Sequence, residues 1–306
     1  ISLSPSEKSV FSVHFFFLYW VMAKSVDLDE LPEGCIEDIV SATTPRDACR
    51  LCSVSPFFRS VAQSDVVWER LLPPDCLSIL SRSVDPPPPL PLPSKKDLYF
   101  SLCDQPVLID QGRKSFSLDK ESGKKCFMIS ARELSIVWGD TPMYWSWICF
   151  PESRFEDVAE LIDVCWLEIR GKIDVSMLSP STLYTANLVF KSTEEAYGFS
   201  IQAGKGAVGL AGGEKSARKI VLDVKRRQGQ SRRQRRNRNL VESRRRRDDD
   251  LNFPRERRDG WMETELGEFF RDGGQEGELE MSVMDLSSHW KSGLIVQGIE
   301  IRPKRV

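Results

Sequence analysis

ARELSIVWGDTPMYWSWICFP, residues 131–151, decides the fold because it places aromatic residues on both sides of a turn. The Gly-Asp-Thr-Pro sequence at 139–142 consists of residue types that favour tight turns over helix. The aromatic residues around it are Trp138, Tyr144, Trp145 and Trp147. Three of the chain's eight tryptophans thus lie within ten residues, which predicts a binding surface on a β-framework. Packing in a core is an equally good interpretation for each tryptophan taken alone.

Beyond residue 95 the pattern is that of many short strands. β-Branched and aromatic content or alternation predicts strands at Lys125–Ile129, Leu134–Trp138, Cys165–Arg170, Leu183–Phe190, Ile220–Val224, Trp261–Leu266, Leu279–Met284 and Leu294–Arg302. In one of them Leu279, Met281 and Val283 alternate with glutamates, as a strand with one buried face requires. A short helix is expected at Phe155–Leu161. Together these elements predict an antiparallel β-sandwich, jelly-roll-like.

Residues 31–80 have instead the pattern of several short helices. Pro32, Pro45 and Pro56 suit first helical positions, where the missing N–H removes no hydrogen bond. The expected N-caps are Thr44, Ser55 and Asp65, the last before a helix at Val66–Leu72. Roughly fifty residues of short helices bury little apolar surface, so such a unit is marginal alone and a partner that completes its core is expected. The fold class is therefore α+β, with a small all-helical N-terminal domain.

Composition shifts divide the chain further. DPPPPLPLP within residues 81–93 is an extended, semi-rigid linker, because a proline run forms neither helix nor central strand. The aromatic run Val10–Met22 is too short for a spanning helix and has a weak signal-peptide pattern. We expect a non-native or disordered leader at 1–21, the helical domain at 22–80, the linker at 81–97 and the β-domain at 98–306.

The near-neutral net charge of −2 conceals a basic insertion at 225–258. This segment has fifteen Lys/Arg against five Asp/Glu, so the rest of the chain is acidic by about twelve charges. Its basic runs, KRRQGQSRRQRRNRN and RRRRDDD, have no aromatic residues interleaved for base stacking. A solvated, disordered loop between strands is the favoured interpretation. A nuclear localisation patch or non-specific phosphate binding are the alternatives.

Enzyme and metal sites find little support. The eight cysteines lie mostly within apolar patterns, which indicates reduced, buried thiols of a cytoplasmic or nuclear protein. The Cys49-x-x-Cys52 pair has no second pair that would complete a metal site. GKGAVG at 204–209 matches a dinucleotide fingerprint, but a turn and a strand are expected after it where a helix is required. The chain has only two histidines. We therefore expect no catalytic residue, no metal and no cofactor, and no membrane span.

The helical segment resembles an F-box, in the residues LPEGCIEDIVSATTPRDACRLCSVSPFFRSVAQSDVVWERLLP. The resemblance implies docking onto a Skp-type adaptor of a cullin–RING ubiquitin ligase through apolar helix faces. The residues it assigns to that surface are Leu31, Pro32, Ile36, Ile39, Leu51, Phe58 and Trp68. From the residues alone, the core of any small helical domain is an alternative interpretation.

The β-domain resembles the phloem protein 2-like lectins of plants. The matching stretches are KSFSLDKESGKKC, ARELSIVWGDTPMYW, VCWLEIRGKI, VGLAGGEKSARK, GWMETELGEFF and HWKSGLIVQGIEIRPK. The resemblance implies a site for N-acetylglucosamine-containing glycans formed by Trp138 and Trp145, since a sugar ring stacks on an aromatic plane. Carboxylates for sugar hydroxyls are available at Glu263 and Glu265, and further at Glu268, Glu278 and Glu280. Trp147 is expected to pack.

Together the two resemblances imply a non-enzymatic adaptor. The F-box recruits a Skp-type adaptor and cullin, and the lectin-like domain selects a glycan or glycoprotein substrate, in the cytoplasm or nucleus. The alternatives are a β-domain that binds a protein epitope without carbohydrate, and a nucleic-acid-associated protein that uses the arginine-rich tract.

Overall fold

The computed structural model describes residues 31–84, 94–199, 202–223 and 251–305, and the chain divides into two compact units after Leu71. The expected leader 1–21, the aromatic run at 10–22, most of the proline linker and most of the basic insertion lie outside the described residues. In the described part, no helix is long and apolar enough to cross a membrane, and no group of three or more potential ligands is arranged for a metal ion.

Residues 31–71 of the first unit contain four short helices. They are α1 (Glu33–Ser41), α2 (Pro45–Leu51), α3 (Pro56–Val61) and α4 (Asp65–Leu71). The predicted caps of α2 and α3 are confirmed, because the Thr44 hydroxyl accepts from the Asp47 N–H at 3.2 Å and the Ser55 hydroxyl accepts from the Phe58 N–H at 3.2 Å. Two details of the prediction were wrong. Asp65 is the first residue of α4 and not its cap, and the Ser64 hydroxyl accepts from the Val66 N–H. Pro32 precedes α1 and is not its first helical residue.

The second unit begins with two helices, α5 (Cys76–Leu80) and α6 (Lys95–Asp104), and its described residues continue as strands, with short 3-10 helices at Ala131–Glu133 and Val175–Met177. Its strands are β1 (Val107–Ile109), β2 (Lys114–Leu118), β3 (Lys125–Ser130), β4 (Ser135–Ile136), β5 (Trp145–Cys149), β6 (Asp157–Leu161), β7 (Leu167–Asp174), β8 (Thr182–Tyr197), β9 (Gly204–Leu210), β10 (Lys215–Ile220), β11 (Leu251–Asn252), β12 (Arg255–Glu256), β13 (Met262–Arg271), β14 (Glu278–Asp285) and β15 (Ser292–Pro303). Because α5 groups with these strands, the unit boundary lies nine residues before the domain end expected at residue 80.

The described strands form two sheets. The larger, of nine strands, runs β1-β2-β3-β15-β8-β13-β12, with β6 added alongside β15 and β5 alongside β6. The smaller, of six strands, runs β11-β10-β9-β14-β7-β4. All pairs are antiparallel except β10 with β11. The predicted antiparallel β-framework is therefore confirmed.

Alternation along the strands positions the core. In β14, Leu279, Met281 and Val283 are buried between more exposed glutamates, as predicted. One core cluster consists of Met128, Phe155, Val158, Val189, Trp261 and Ile295. The Trp261 indole N–H donates to the Glu152 carbonyl at 3.0 Å, so this fully buried ring satisfies its polar atom.

Several local predictions were wrong. Residues 157–161 form β6 instead of a helix, because β6 is paired on both sides by β5 and β15. The strand expected at Ile220–Val224 lies earlier, at Lys215–Ile220, and that expected at Leu134–Trp138 is only two residues long. The prediction around GKGAVG is confirmed: the motif lies in β9 and is followed by a turn and β10. All eight cysteines are unpaired as expected, but Cys35 and Cys149 are exposed.

Candidate functional site

The turn after β4 holds Trp138 in an unusual backbone conformation. Trp138 has φ +59°, a region that bulky side chains rarely adopt and that clusters at functional sites. Its carbonyl accepts from the Thr141 N–H at 2.9 Å, and the Ile136 carbonyl accepts from the Gly139 N–H at 2.9 Å. The turn predicted at 139–142 is thus present, and it projects the indole outward.

The tryptophans of this stretch have different environments. Trp138 is 42% exposed and lies against Tyr144, with ring centroids 5.3 Å apart, whereas Trp145 is 2% exposed. Trp145 is the first residue of β5, opposite Leu161, so strand geometry turns its ring inward. Its indole N–H is buried without an acceptor among the described residues. Of the two predicted ligand contacts, only Trp138 presents its ring to solvent.

Trp147 supports the turn, in line with the packing expected for it. Its indole N–H donates to the Gly139 carbonyl at 3.0 Å, and the Arg132 guanidinium lies 3.9 Å from the ring centroid. Arg132 is fixed in turn by Asp157 on β6, at 2.8 Å. The hydrogen bond joins β5 to the turn that presents Trp138, and the cation–π contact holds the Trp147 ring in position.

The predicted glutamates lie elsewhere on the sandwich. Four strand steps, through β6, β15 and β8, separate β5 from the β13 strand that contains Glu263 and Glu265, a distance of about 19 Å at the usual strand spacing. Glu263 pairs with Arg257 and Arg302, and Glu265 with Arg218 at 2.8 Å. Glu268, Glu278 and Glu280 also have Lys or Arg partners. The structure therefore does not bring these carboxylates to the tryptophans.

Glu263 belongs to a charged network on the larger sheet. Arg257 donates to Glu300 at 2.6 Å and Arg302 donates to Glu300 at 2.8 Å and to Glu263 at 2.5 Å. Arg154 approaches Glu300 at 3.7 Å. Burial alone raises the pKa of Glu300, but the hydrogen bonds and charges of the three arginines outweigh it and lower the pKa to about 2. Glu300 is held ionised by arginine, and Glu263 shares two of the same arginines, which is the arrangement of a structural network.

Other exposed aromatic residues received no predicted role. Trp166, Tyr197 and Trp290 are each about half exposed. Trp166 and Trp290 occur in two of the stretches that resemble the lectins, VCWLEIRGKI and HWKSGLIVQGIEIRPK, so the signal was present in the sequence. That signal does not separate exposed from buried tryptophans, because Trp261, in a similar sequence context, is fully buried.

In the first unit, the residues predicted to contact an adaptor fall into two groups. Ile36 and Trp68 are fully buried, and the Trp68 indole N–H donates to the Ala62 carbonyl at 2.8 Å, so both belong to the unit's own core. Leu31, Leu51 and Phe58 are partly exposed, and Pro32 and Ile39 are exposed. Val54 and Val66, which the sequence did not single out, are 65% and 45% exposed.

Comparison with known proteins identifies a family model and several relatives that match this chain. A family model described as Phloem protein 2 matches residues 124–303. F-box protein PP2-B10 of Arabidopsis thaliana is 48% identical over 289 residues, 94% of this chain and 97% of the relative. F-box protein At2g02240 of Arabidopsis thaliana is 47% identical over 281 residues, 90% of this chain and 80% of the relative.

Solved structures are more distant. The crystal structure of a Podospora anserina GH26-CBM35 β-(1,4)-mannanase is similar at a TM-score of 0.30 and 8% identity, covering 59% of this chain and 28% of that chain. A similarity of this size supports no functional comparison. The sequence comparisons, in contrast, extend over nearly the whole chain. The chain therefore belongs to the family of F-box proteins with a phloem protein 2 domain.

Proposed function

We propose that this protein is the substrate-recognition adaptor of a Skp–cullin–F-box ubiquitin ligase, whose phloem protein 2 domain binds N-acetylglucosamine-containing glycans or glycoproteins through Trp138. The observation behind the adaptor role is the near full-length similarity to proteins named F-box proteins. The comparisons indicate no catalytic family, so ubiquitin transfer is assigned to other subunits. The adaptor acts in the cytoplasm, the nucleus or both.

The surface of the helical unit supports adaptor docking. Ile39, Val54 and Val66 expose large aliphatic side chains on a unit too small to bury a large core. Covering such side chains with a partner's apolar groove removes them from water, at roughly 25 cal/mol per Å². Ile36 and Trp68 contribute indirectly, because they hold the helices together from inside.

Adaptor docking is tested by co-purification with a Skp-type adaptor at micromolar concentration. The Leu31→Ala/Pro32→Ala pair and Ile39→Asp are each expected to weaken binding at least tenfold, since each removes apolar contact. Gln63→Ala, at an exposed polar position of the same unit, is the control. Failure of the wild-type protein to co-purify would contradict adaptor docking.

Trp138 supports glycan binding by its exposure and its support. A sugar presents an apolar face that stacks on an indole, and Tyr144 and the Trp147–Arg132 stack hold Trp138 and its turn in place. Trp145 has no direct part in this site, because its ring and its indole N–H are buried. The glutamates of β13 and β14 have no part in this site, because arginines and lysines already hold them.

Glycan binding is tested on an array of N-acetylglucosamine oligomers and N-glycans. Trp138→Ala is expected to abolish the signal while the circular dichroism spectrum is unchanged. Phe270→Ala is the matched control, because Phe270 is 55% exposed and lies at the other end of β13 from the predicted glutamates. A blank array for the wild-type protein would favour a carbohydrate-independent protein epitope.

A nucleic-acid role for the basic insertion is a separate hypothesis. Within the described part of the insertion, Arg257 is already paired with Glu263 and Glu300. The remaining positive charge of the insertion predicts nucleic-acid binding whose affinity falls steeply as the salt concentration rises. Retention measured on heparin or DNA columns, with and without residues 225–250, distinguishes it from the adaptor function.

A further inference from the structure

One end of the sandwich gathers large exposed apolar side chains, and we name it the aromatic end. It is defined by Trp138, Ile162, Trp166, Tyr197, Leu286 and Trp290, each at least 41% exposed. The strand registers explain the grouping: β4, β6, β8 and β14 all run toward this end, and the connections that follow them cross from one sheet to the other. The three exposed tryptophans in the described part of the chain all lie here.

A buried lysine fixes two loops of the aromatic end. Lys291 is fully buried, and its ammonium donates to the carbonyls of Cys165 at 2.8 Å and His289 at 2.9 Å. The backbones of Val164 and Lys291 also pair in both directions, at 2.7 and 3.0 Å. Trp166 and Trp290 are therefore presented by loops joined to each other, and their exposure is a property of an ordered surface.

A cleft of about 430 Å³ opens beside Tyr197. It is lined by Glu160, Leu161 and Ile162 at the end of β6, by Thr193, Glu194 and Glu195 of β8, and by Ser292 and Gly293 of β15. Strand β8 forms a bulge opposite Gly293. Ser192 pairs with Leu294 and Tyr197 pairs with Ser292, so the four residues 193–196 lie opposite Gly293 alone.

Gly293 lets the bulge of β8 pack closely on β15. It has φ +81°, and a Cβ there would lie 2.4 Å from the Thr193 hydroxyl and 2.7 Å from the Ala196 Cα. The bulge that bears Glu195 thus packs directly on bare backbone. The cleft lies beside this contact, with the carboxylates of Glu160 from β6 and of Glu194 and Glu195 from β8 in its lining.

The carboxylates of this cleft differ from those of the sheet faces. Glu160 and Glu195 form no ion pair within 4.0 Å among the described residues, whereas Glu263, Glu265, Glu268, Glu278 and Glu280 all do. Lys191, the nearest lysine on β8, is directed to Glu152 at 3.7 Å and to the Phe150 and Trp261 rings. Two of the carboxylates that line the cleft, those of Glu160 and Glu195, are therefore without an ion-pair partner in the described part of the chain.

We propose that this cleft binds a lysine- or arginine-bearing segment of a partner protein. A cationic side chain that enters the cleft meets Glu160 and Glu195. The exposed ring of Tyr197, which pairs with the lining residue Ser292, is available to a neighbouring cation of the same segment. The hydroxyls of Thr193 and Ser292 are available to the peptide backbone. Charge selects this partner, because a neutral glycan would leave both carboxylates unneutralised. The proposal goes beyond glycan binding and does not use Trp138.

The test is fluorescence anisotropy with the full chain and a fluorescein-labelled nine-residue peptide of alternating lysine and serine. The wild-type protein is expected to bind it, and the peptide with glutamate in place of lysine is expected not to bind. Glu160→Gln/Glu195→Gln should raise Kd at least tenfold. Glu214→Gln/Glu276→Gln, the same change of net charge in exposed turns at the opposite end, should leave Kd within twofold.

Three results would overturn the proposal. They are no binding of the lysine peptide by the wild-type protein, an equal loss in both double variants, and an unchanged Kd in Glu160→Gln/Glu195→Gln. A chitotriose titration separates the two sites: if Glu160→Gln/Glu195→Gln lost chitotriose binding but kept peptide binding, the cleft would be a sugar subsite and the proposal wrong. Trp138→Ala should leave peptide binding unchanged, so failure of the proposed glycan site is distinguishable.

Discussion

The aromatic end and the charged network on the larger sheet use similar residue types in opposite ways. In the network, Glu263 and Glu300 are held between arginines and removed from solvent. In the cleft at the aromatic end, Glu160 and Glu195 have no ion pair with a described residue. A carboxylate with good partners contributes to the fold and is unavailable to a ligand, whereas one without partners is available. Partners, and not residue type, therefore separate a structural glutamate from a binding one.

The sharpest way to break this contrast is to remove the centre of the network. Glu300→Gln should lower the free energy of unfolding by about 4 kcal/mol, because it removes the buried charge that Arg154, Arg257 and Arg302 share and leaves Glu263 alone opposite the last two. Thermal unfolding followed by near-ultraviolet circular dichroism measures the effect. Glu278→Gln, which removes a half-exposed partner of Lys172, should cost a small fraction of that change. Equal effects of the two substitutions would show that the network is not structural.

Acid tests the same network without mutation. The pKa of Glu300 is lowered to about 2 from its ordinary value of 4.5, so its stabilising contribution is complete above pH 4.5 and is lost as the pH falls toward 2. The shift corresponds to about 3 kcal/mol. Urea titrations from pH 7 to pH 3 should show stability falling more steeply in the wild-type protein than in Glu300→Gln. Parallel curves would mean that Glu300 does not titrate with this shift.

At the aromatic end, the corresponding change is at Gly293 in the lining of the cleft. Gly293→Ala should lower stability by about 2 kcal/mol, because it adds a Cβ at φ +81° within 2.7 Å of the Ala196 backbone. Gly260→Ala is the control: its φ is +77°, but nothing lies within 4 Å, so about 1 kcal/mol is expected from the backbone alone. Thermal unfolding compares them. If both variants lost the same stability, the close packing of the β8 bulge on Gly293 would be refuted.

The predictability of these features follows the range of the interactions that form them. Thr44 and Ser55 were identified as caps because each bonds only three residues away. The strand β6 was mistaken for a helix because its apolar spacing is ambiguous, and its pairing with β15, more than 130 residues later, is invisible to local pattern. The same limit applies to the site: the Glu263–Arg302 pair spans 39 residues, so sequence alone did not show that Glu263 was occupied.

The smallest expected effect concerns the backbone of Trp138. It measures whether the left-handed conformation that presents the indole lowers the stability of the protein. Trp138→Ala and Trp138→Gly both remove the indole and its contact with Tyr144, so they should lose glycan binding equally. They differ at φ +59°, which glycine adopts freely and alanine does not. Trp138→Gly should therefore be more stable than Trp138→Ala by about 1 kcal/mol, measured by urea unfolding. The same pair at Trp147, which is in a regular strand, should show the opposite order, because glycine weakens strands. If Trp138→Gly were not the more stable of its pair, the turn would relax around the substitution, and the left-handed conformation would not be imposed by the hydrogen bonds of Gly139 and Thr141.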